Sequence, residues 1–413
     1  MPKMSKAISK EDVTAKSAFS RRQFVRLGAI STVTVSAWGQ EVVHETGQSR
    51  RSYGERSDFE KAGRYFNPGP YGGTGSARTP LQDLYGIITP SALFFERVHA
   101  GVPSIDPAIH QILIDGLVET PLVFSMSDLR RMPSVSRVHF IECAGNSGSE
   151  HAGEPRDTPQ KSHGLVSCAE WTGVPLSTLL QKVGVKPNAK WIYAEGADAC
   201  RLARSIPLEK ALDDVIVVYG QNGEALRPEQ GYPLRLVVPG WEGNINIKWL
   251  QRLSLVDQPA MTKDEAASYT DLLPNGKARQ FTFEMEAKSV ITRPAGGQIL
   301  DGRGFYEISG LAWSGRGRIQ RVQVSVNGGK EWQDAQLQEP AFTKALTRFR
   351  FPWIWNGEET TIASRCQDET GYWQPTREEL IAVRGLTAGP DGYNHYNGIK
   401  WWRVKRSGEI TYA

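Results

Sequence analysis

The sequence predicts an α+β chain that ends in an all-β, immunoglobulin-like sandwich, and three observations predict it. Short helical and extended segments mix through the first two thirds without regular strand–helix alternation, which argues against a doubly wound sheet. From about Met285 helical periodicity all but disappears, and short strands follow one another between turn residues. The length, 413 residues, also exceeds what one hydrophobic core fills, roughly 250–300 residues. The predicted order is a signal over 1–40, a linker or arm over 41–79, a first domain over 80–284 and the sandwich over 285–413.

The elements can be justified in order. In "SRRQFVRLGAISTVTVSAWG" the pair Arg21-Arg22 precedes a weakly apolar run from Leu27 to Trp38. That pattern predicts a twin-arginine export signal and a periplasmic protein. A run of about a dozen residues is too short for a bilayer, which needs roughly 20, so no membrane span is expected in the mature chain. The route carries folded proteins, often because a cofactor must be inserted first, and so hints at a prosthetic group. The next stretch, polar and containing "NPGPYGGTG", reads as an arm over the surface.

"HQILIDGLV" is a strand running into an Asp-Gly turn. "SMSDLRRM" offers Ser127 as the N-cap of a short helix. Leu176, Leu179, Leu180 and Val183 fall at helical spacing, and Gly184 ends that helix. "KWIYAEG", "DVIVVYGQNGEAL" and "YPLRLVVPG" are strands, the second folded back at Asn222-Gly223. Beyond Met285, "FYEISGLAW", "RIQRVQVSVNGGKEW", "RFRFPWIW", "ETTIASRCQDETG" and "IKWWRV" supply the sandwich, with a hairpin expected at Asn327-Gly328. The tryptophan-rich "PWIWNGEE" and "KWWRVKR" read as sandwich core with a basic edge, or as interface.

Composition excludes several classes. With 39% hydrophobic and 23% charged residues the chain is an ordinary globular one. Most of the net charge of +4 lies in the first sixty residues, so nothing argues for nucleic acid as a partner. Cys143, Cys168, Cys200 and Cys366 form no CxxC, against a thioredoxin-like site or a zinc ribbon, and no CxxCH, so the chain carries no c-type haem of its own. Two disulfides are arithmetically open, and spacing does not decide them.

The stretch that carries chemistry is "VHFIECAGNSGSEH". A strand runs into a turn of Gly145, Asn146, Ser147 and Gly148 with Cys143 at its tip. The glycines let backbone approach a bulky ligand, and Asn146 and Ser147 offer polar groups. A thiolate there is either a nucleophile or a soft metal ligand.

"FIECAGN" resembles the cofactor-binding core of the sulfite oxidase family, in which a cysteine thiolate ligates molybdenum held by a molybdopterin. "LFFERVHAGVPSIDP", "EGAD", "SIPL", "GYPLRLVVPG" and "IKWL" follow the family order, and "GLAWSGRGRIQRVQVSVNGGKEW" is similar to its C-terminal dimerisation domain. The resemblance spans residues 80 to 405 and implies a molybdopterin domain followed by a dimerising β-domain. It makes Cys143 the molybdenum ligand. Arg97 and His99 correspond to an Arg-x-His pair facing the cofactor, and Phe95 and Glu96 lie in the same segment and offer backbone contacts. Asp198, Arg235, Asn246 and Lys248 fall on positions that hold the pterin and its phosphate, with Gln230 where the family has histidine. Tyr269 is the nearest match to the active-site tyrosine, with Asp271 as the other candidate.

Within the family the chain looks most like the sulfane-dehydrogenase branch, on its twin-arginine start, "YTDLLPNGKARQFTFEMEAKSVIT" and "HYNGIKWWRV". That likeness implies oxidation of a cysteine-persulfide sulfur on a carrier protein by oxygen-atom transfer, a separate c-type cytochrome subunit as electron acceptor, and a homodimer. Sulfite-oxidising relatives continue the cysteine loop with Arg-Arg; Ser147-Gly148 stands there instead, a less cationic surround. Arg316 and Arg318 are candidates to return charge from the second domain. Sulfite dehydrogenase is the alternative in the same class. A cysteine nucleophile with His151 or His163 as base, a reductase of oxidised methionine, and a non-catalytic exported binding protein explain fewer of these blocks.

Overall fold

Alternation of side chains sets the strands of the first part. In β4 (Gln111–Gly116) Ile112 and Ile114 turn inward while Gln111 faces out, the period-two pattern of a half-buried strand. The computed structural model describes residues 53–385 and 394–413 and resolves into two units, Met1–Lys61 and Ala62–Ala413. The predicted signal lies outside the described residues. Of the first unit only 53–61 are described, with a turn closed by Glu60 N donating to Ser57 O (2.9 Å).

Three sheets make the first part of the second unit. β4 joins β5 (Leu122–Ser125), β8 (Trp191–Gly196), β9 (Ala203–Pro207) and β13 (Leu250–Val256) in the order β5-β4-β13-β8-β9. Only β4 and β13 in that sheet run parallel. The second sheet has β6 (Val135–Glu142), β7 (Val166–Pro175), β10 (Ile216–Gln221) and β11 (Glu224–Ala225), with β12 (Arg235–Val237) also on β10. Asn222 and Gly223 both adopt positive φ (51° and 76°), the conformation that closes the two-residue turn from β10 to β11. The helix Leu176–Val183 (α2) lays Leu176, Leu179, Leu180 and Val183 into the core beside Ile112, Ile192 and Leu253, and Gly184 ends it at φ 68°.

Two expectations about this part are corrected. The helix after β5, Met126–Arg130 (α1), is capped by Ser125, not Ser127. Ser125 Oγ accepts from Asp128 N (3.1 Å) while the Asp128 carboxylate accepts from Ser125 N (2.9 Å), a reciprocal box that Ser127, already inside the first turn, cannot form. The segment read as an arm is partly sheet: β1 (Tyr65–Pro68) and β2 (Gly75–Arg78) form a hairpin whose second strand pairs with β3 (Glu96–Val98). Its glycine-rich sequence is the hairpin's turn.

A small ladder, β14 (Asp271–Leu272) with β15 (Ala278–Arg279), leads to the β-rich C-terminal part. There β16 (Lys288–Arg293), β17 (Gly304–Trp313), β21 (Thr347–Trp355) and β20 (Gln336–Leu337) form one sheet. The other is β19 (Gln333–Asp334), β18 (Ile319–Ser325), β22 (Thr360–Asp368), β23 (Trp401–Val404) and β24 (Ile410–Tyr412). Their facing sides bury Ile308, Phe349, Trp353, Trp355, Ile362 and Trp402, so those tryptophans are core. The turn at Asn327-Gly328 is wider than a two-residue hairpin: β18 stops at Ser325 and β19 starts at Gln333, and Asn327 Oδ1 accepts from Glu331 N (3.0 Å). A helix, Arg377–Arg384 (α3), stands where none was expected. Thr376 and Glu379 form its capping box, but eight residues with only Leu380 and Arg384 buried carry little periodicity.

The two parts share a core of Leu81, Phe140, Val166, Met285, Val290, Leu311 and Trp313. At its centre the buried carboxylate of Glu142, last residue of β6, accepts from Trp313 Nε1 (2.6 Å), Lys288 Nζ (2.9 Å) and Asn146 Nδ2 (2.9 Å). Replacing Lys288 with methionine leaves a buried carboxylate without its counter-charge, and such losses run to about 3–5 kcal/mol. Denaturant unfolding of Lys288→Met is expected to show a loss of that size; one below about 1 kcal/mol would place the pair among inconsequential ion pairs.

Candidate active site

Next to that carboxylate a cavity opens between the first two sheets and the hairpin. Cys143 forms part of its wall. Cys143 N donates to Leu165 O (2.9 Å) and its carbonyl accepts from Asn146 N (2.9 Å), so the loop after β6 is fixed on both sides. The remaining loop side chains turn inward. Asn146 Nδ2 bonds Glu142 and His163 O, and Ser147 Oγ donates to Ser162 O (3.1 Å). Asn146 and Ser147 are therefore structural, contrary to the expectation that they face a ligand, and Gly148 opens a short helix instead of lining the cavity. A Cβ on Gly145 would meet nothing within 4 Å.

The structure brings together nearly all the residues singled out. Phe95, Arg97, His99, Cys143, Asp198, Gln230, Arg235, Asn246, Lys248 and Tyr269 line this one cavity. Glu96 does not: its carboxylate points to Arg64 (3.3 Å), because alternate residues of β3 face opposite sides. Asp271 does not either, and accepts from Asn394 (Nδ2, 3.0 Å). Asn246 spends its amide on backbone, accepting from Val238 N (2.7 Å) and donating to Glu242 O (3.0 Å). Arg316 is paired with Glu284 (3.6 Å) and lies away from the cavity. Of the two histidines considered as bases, neither lines it.

Electrostatically the cavity is a cationic pocket with one carboxylate. Arg97, Arg235 and Lys248 face Asp198 alone among the lining carboxylates. Burial lowers Arg235 to about 9 and Lys248 to about 7. His99 falls to about 4 through burial and the neighbouring Arg97 and Lys248, so it is neutral at neutral pH. Gly231 makes the pairing possible. At φ 104° it packs so closely that an added Cβ would stand 3.0 Å from Lys248 Cβ and 3.1 Å from Arg235 Cβ. Arg235 donates to Gln230 O (2.9 Å) and Asn246 O (3.3 Å), but its buried Nε has no partner among the described residues. Burial raises the Cys143 thiol, against the Gly145 N–H, Arg97 and Arg78, which all favour the thiolate. The apolar part of the lining is Phe94, Val98, Ile141, Leu202 and Trp249, and Asn244 adds an amide to it.

Sequence reasoning missed the support behind Tyr269. Its ring lies over the Arg204 guanidinium (4.7 Å). Arg204 pairs with Glu242 (3.0 Å), and Glu242 with His395 Nε2 (3.1 Å). His395 Nδ1 faces Glu286 (3.7 Å), and His395 N donates to Ala144 O (2.8 Å). One buried chain of charges thus ties the C-terminal segment to the cysteine loop and the tyrosine. Burial, then Cys143 and Glu242, push the Tyr269 phenol up, which keeps it a neutral donor.

A cationic pocket with an unsatisfied guanidinium, a glycine-built floor and one thiol on its wall fits a large anionic cofactor with a thiolate-bound metal. That is the class this fold and site define. The model of the oxidoreductase molybdopterin binding domain matches residues 99–263, and that of the Mo-co oxidoreductase dimerisation domain matches 279–394. The chain belongs to the sulfite oxidase family of molybdopterin oxidoreductases. The solved sulfane dehydrogenase SoxCD from Paracoccus pantotrophus is 44% identical, with 91% of this chain and 97% of that chain covered at a TM-score of 0.88. Mitochondrial sulfite oxidase of Mus musculus is 33% identical over 273 residues, 61% of this chain and 50% of that protein. The NADH nitrate reductase of Ulva prolifera is 32% identical over 331 residues, 70% and 38%. The chain spans about half the length of the curated relatives it matches.

Two expectations follow. Burial alone would lower His395, but Glu242 and Glu286 outweigh it and raise it to about 9. Against an unfolded value of about 6.5, the network's contribution is full below pH 6.5 and is lost as pH rises through 9, a difference on the order of 3 kcal/mol. Urea midpoints should fall between pH 6 and 9.5 in the wild type and stay nearly flat in His395→Gln. Gly231→Ala forces Lys248 and Arg235 apart, and molybdenum analysis of the purified variant should show most of the metal lost.

Proposed function

We propose that this chain is the molybdenum-bearing subunit of a sulfane dehydrogenase, oxidising a cysteine-persulfide sulfur on a carrier protein and passing electrons to a c-type cytochrome subunit. The observation that carries the reading is the likeness to SoxCD over nearly the full length of both chains. The loop after Cys143 supports it, since Ser147 and Gly148 put no charge into the cavity. Export by the twin-arginine route to the periplasm belongs to the same reading.

When bound, a molybdenum–pterin supplies oxygen-atom transfer and two-electron chemistry. The chain supplies the rest. Cys143 is the thiolate ligand, its loop held still by Glu142. Arg235 and Lys248 neutralise the cofactor's phosphate, and the Arg235 Nε gains the acceptor it lacks. His99, neutral, donates or accepts through its ring nitrogens, and Tyr269 keeps its hydroxyl proton to donate to an oxygen. Phe94, Phe95, Ile141 and Leu202 exclude water, which strengthens each of these interactions.

A second copy of the chain is the expected partner of the C-terminal domain. On β17 and β21 the cross-strand neighbours Phe305 and Ile354 are 68% and 77% exposed, an apolar pair on an otherwise polar outer face. Sedimentation should show a dimer that Phe305→Asp with Ile354→Asp converts to monomer.

The activity is tested by cytochrome c reduction with the holoenzyme, given sulfite or a carrier bearing a cysteine persulfide, and Cys143→Ala as blank. Turnover with the carrier and little with sulfite is expected. Brisk turnover with sulfite alone makes the protein a sulfite dehydrogenase.

A further inference from the structure

A side chain that donates to a reacting group must be held to within about 0.5 Å, yet Tyr269 stands on one of the least regular segments of the chain. It closes a short π-helix, Asp264–Ser268, and its N–H donates to Asp264 O (2.9 Å). Such turns are rare and concentrate at functional sites. No long element carries this one, which lies between the end of β13 at Val256 and the two-residue β14.

What holds it is the free edge of β9. That strand is the last of its sheet and pairs on one side only, with β8. Alternate N–H and C=O groups therefore point outward with no strand to meet them. The segment before Tyr269 supplies the missing partners from side chains. Thr262 Oγ1 donates to Ala203 O (3.0 Å), and two residues along the same edge the Glu265 carboxylate accepts from Ser205 N (2.5 Å). Ser205 Oγ accepts from Ala260 N (2.9 Å) and donates to Glu265 Oε2 (3.3 Å).

Glu265 also reaches the tyrosine from both sides. Its Oε2 accepts from Thr262 N (2.9 Å), ahead of the turn, and its carbonyl accepts from Thr270 Oγ1 (2.6 Å), just behind Tyr269. Its Oε1 lies 3.7 Å from Nε of Arg204, the cation over which the Tyr269 ring packs. One buried carboxylate thus touches the edge strand, the turn and that cation. Neither Glu265 nor Arg204 lines the cavity, whereas Tyr269 does.

We propose that Glu265 is the positioning residue for Tyr269: its carboxylate latches the π-helical turn to the edge of β9 and to Arg204, and so fixes where the phenol hydroxyl stands in the cavity. The inference rests on the reading above that Tyr269 donates to an oxygen, and holds for a sulfane or a sulfite substrate alike. An amide cannot replace the carboxylate. Whichever way a glutamine turns, its NH2 meets the N–H of Ser205 or of Thr262, donor against donor, and the attraction on Arg204 Nε is lost.

The test builds fluorotyrosine into the holoenzyme and follows the fluorine resonance of Tyr269, assigned by its disappearance in Tyr269→Phe. In Glu265→Gln that resonance should move or split, while molybdenum content stays at the wild-type level. Cytochrome c reduction, with whichever of sulfite and carrier persulfide the wild type turns over, should show kcat lowered about tenfold to a hundredfold, as a displacement of about 1 Å costs, and KM nearly unchanged. Glu265→Gln combined with Tyr269→Phe should be no slower than Tyr269→Phe alone. Thr262→Val, which removes the hydroxyl on Ala203 O, should move the same resonance by less, and it carries the test if Glu265→Gln does not fold. A resonance at its wild-type position in both variants overturns the proposal, and so does a double variant in which the two losses multiply. If the resonance moves while Tyr269→Phe itself costs no rate, the latch stands and the reading of Tyr269 as a donor falls.

Discussion

The carboxylate of Glu142 is the fixed point on which the rest of the site depends. It is fully buried at the end of a strand, and all its hydrogen bonds come from the loop it precedes or from the β-rich C-terminal part. Since Cys143 is the next residue, its position is set by Trp313 and Lys288 of the β-rich C-terminal part as much as by its own sheet. A buried carboxylate is tolerable only with such a complete set of partners, and that completeness leaves the loop little freedom to move. The dimerising part of the family's architecture is here also part of the wall that positions the cysteine.

Charge divides the surroundings of the thiol into two kinds of site. Behind it, Arg204, Glu242, His395 and Glu286 alternate in sign along one buried chain. In front, the basic side chains Arg97, Arg235 and Lys248 outnumber the one lining carboxylate. The depressed Lys248 and the unpartnered Nε of Arg235 express the same deficit: the pocket is built for an anion that completes it. Rigid support with an unfinished electrostatic face is what preorganised binding of a charged cofactor requires.

Much of this was legible in the residues. The strands β4 and β10, the Asn222-Gly223 turn and the face of Leu176–Val183 followed from local chemistry, and the motif around Cys143 carried the cofactor-facing residues with it. What escaped depends on distant partners. Asn146 and Ser147 read as ligand-facing because a polar loop after a cysteine offers no sign that Glu142 and Ser162 will claim it. Arg204 and His395 lie 191 positions apart in chain numbering and meet only through Glu242, which no local pattern reports. The hairpin of β1 and β2 was hidden in a stretch whose glycines suggested a loose arm, although those glycines form its turn. The helix Arg377–Arg384 was overlooked for a different reason: its capping box was visible, but its apolar stripe was too short to register.

The central claim is that Cys143 is presented as a metal ligand on a wall prepared for an anionic cofactor. X-ray absorption at the molybdenum edge tests it most directly, comparing the sulfur scatterers around the metal in wild type and Cys143→Ser. The account predicts one sulfur fewer in the variant, with the metal still held in the Arg235–Lys248 pocket. An identical sulfur shell in the two proteins would contradict it, since the thiolate would then not reach the molybdenum.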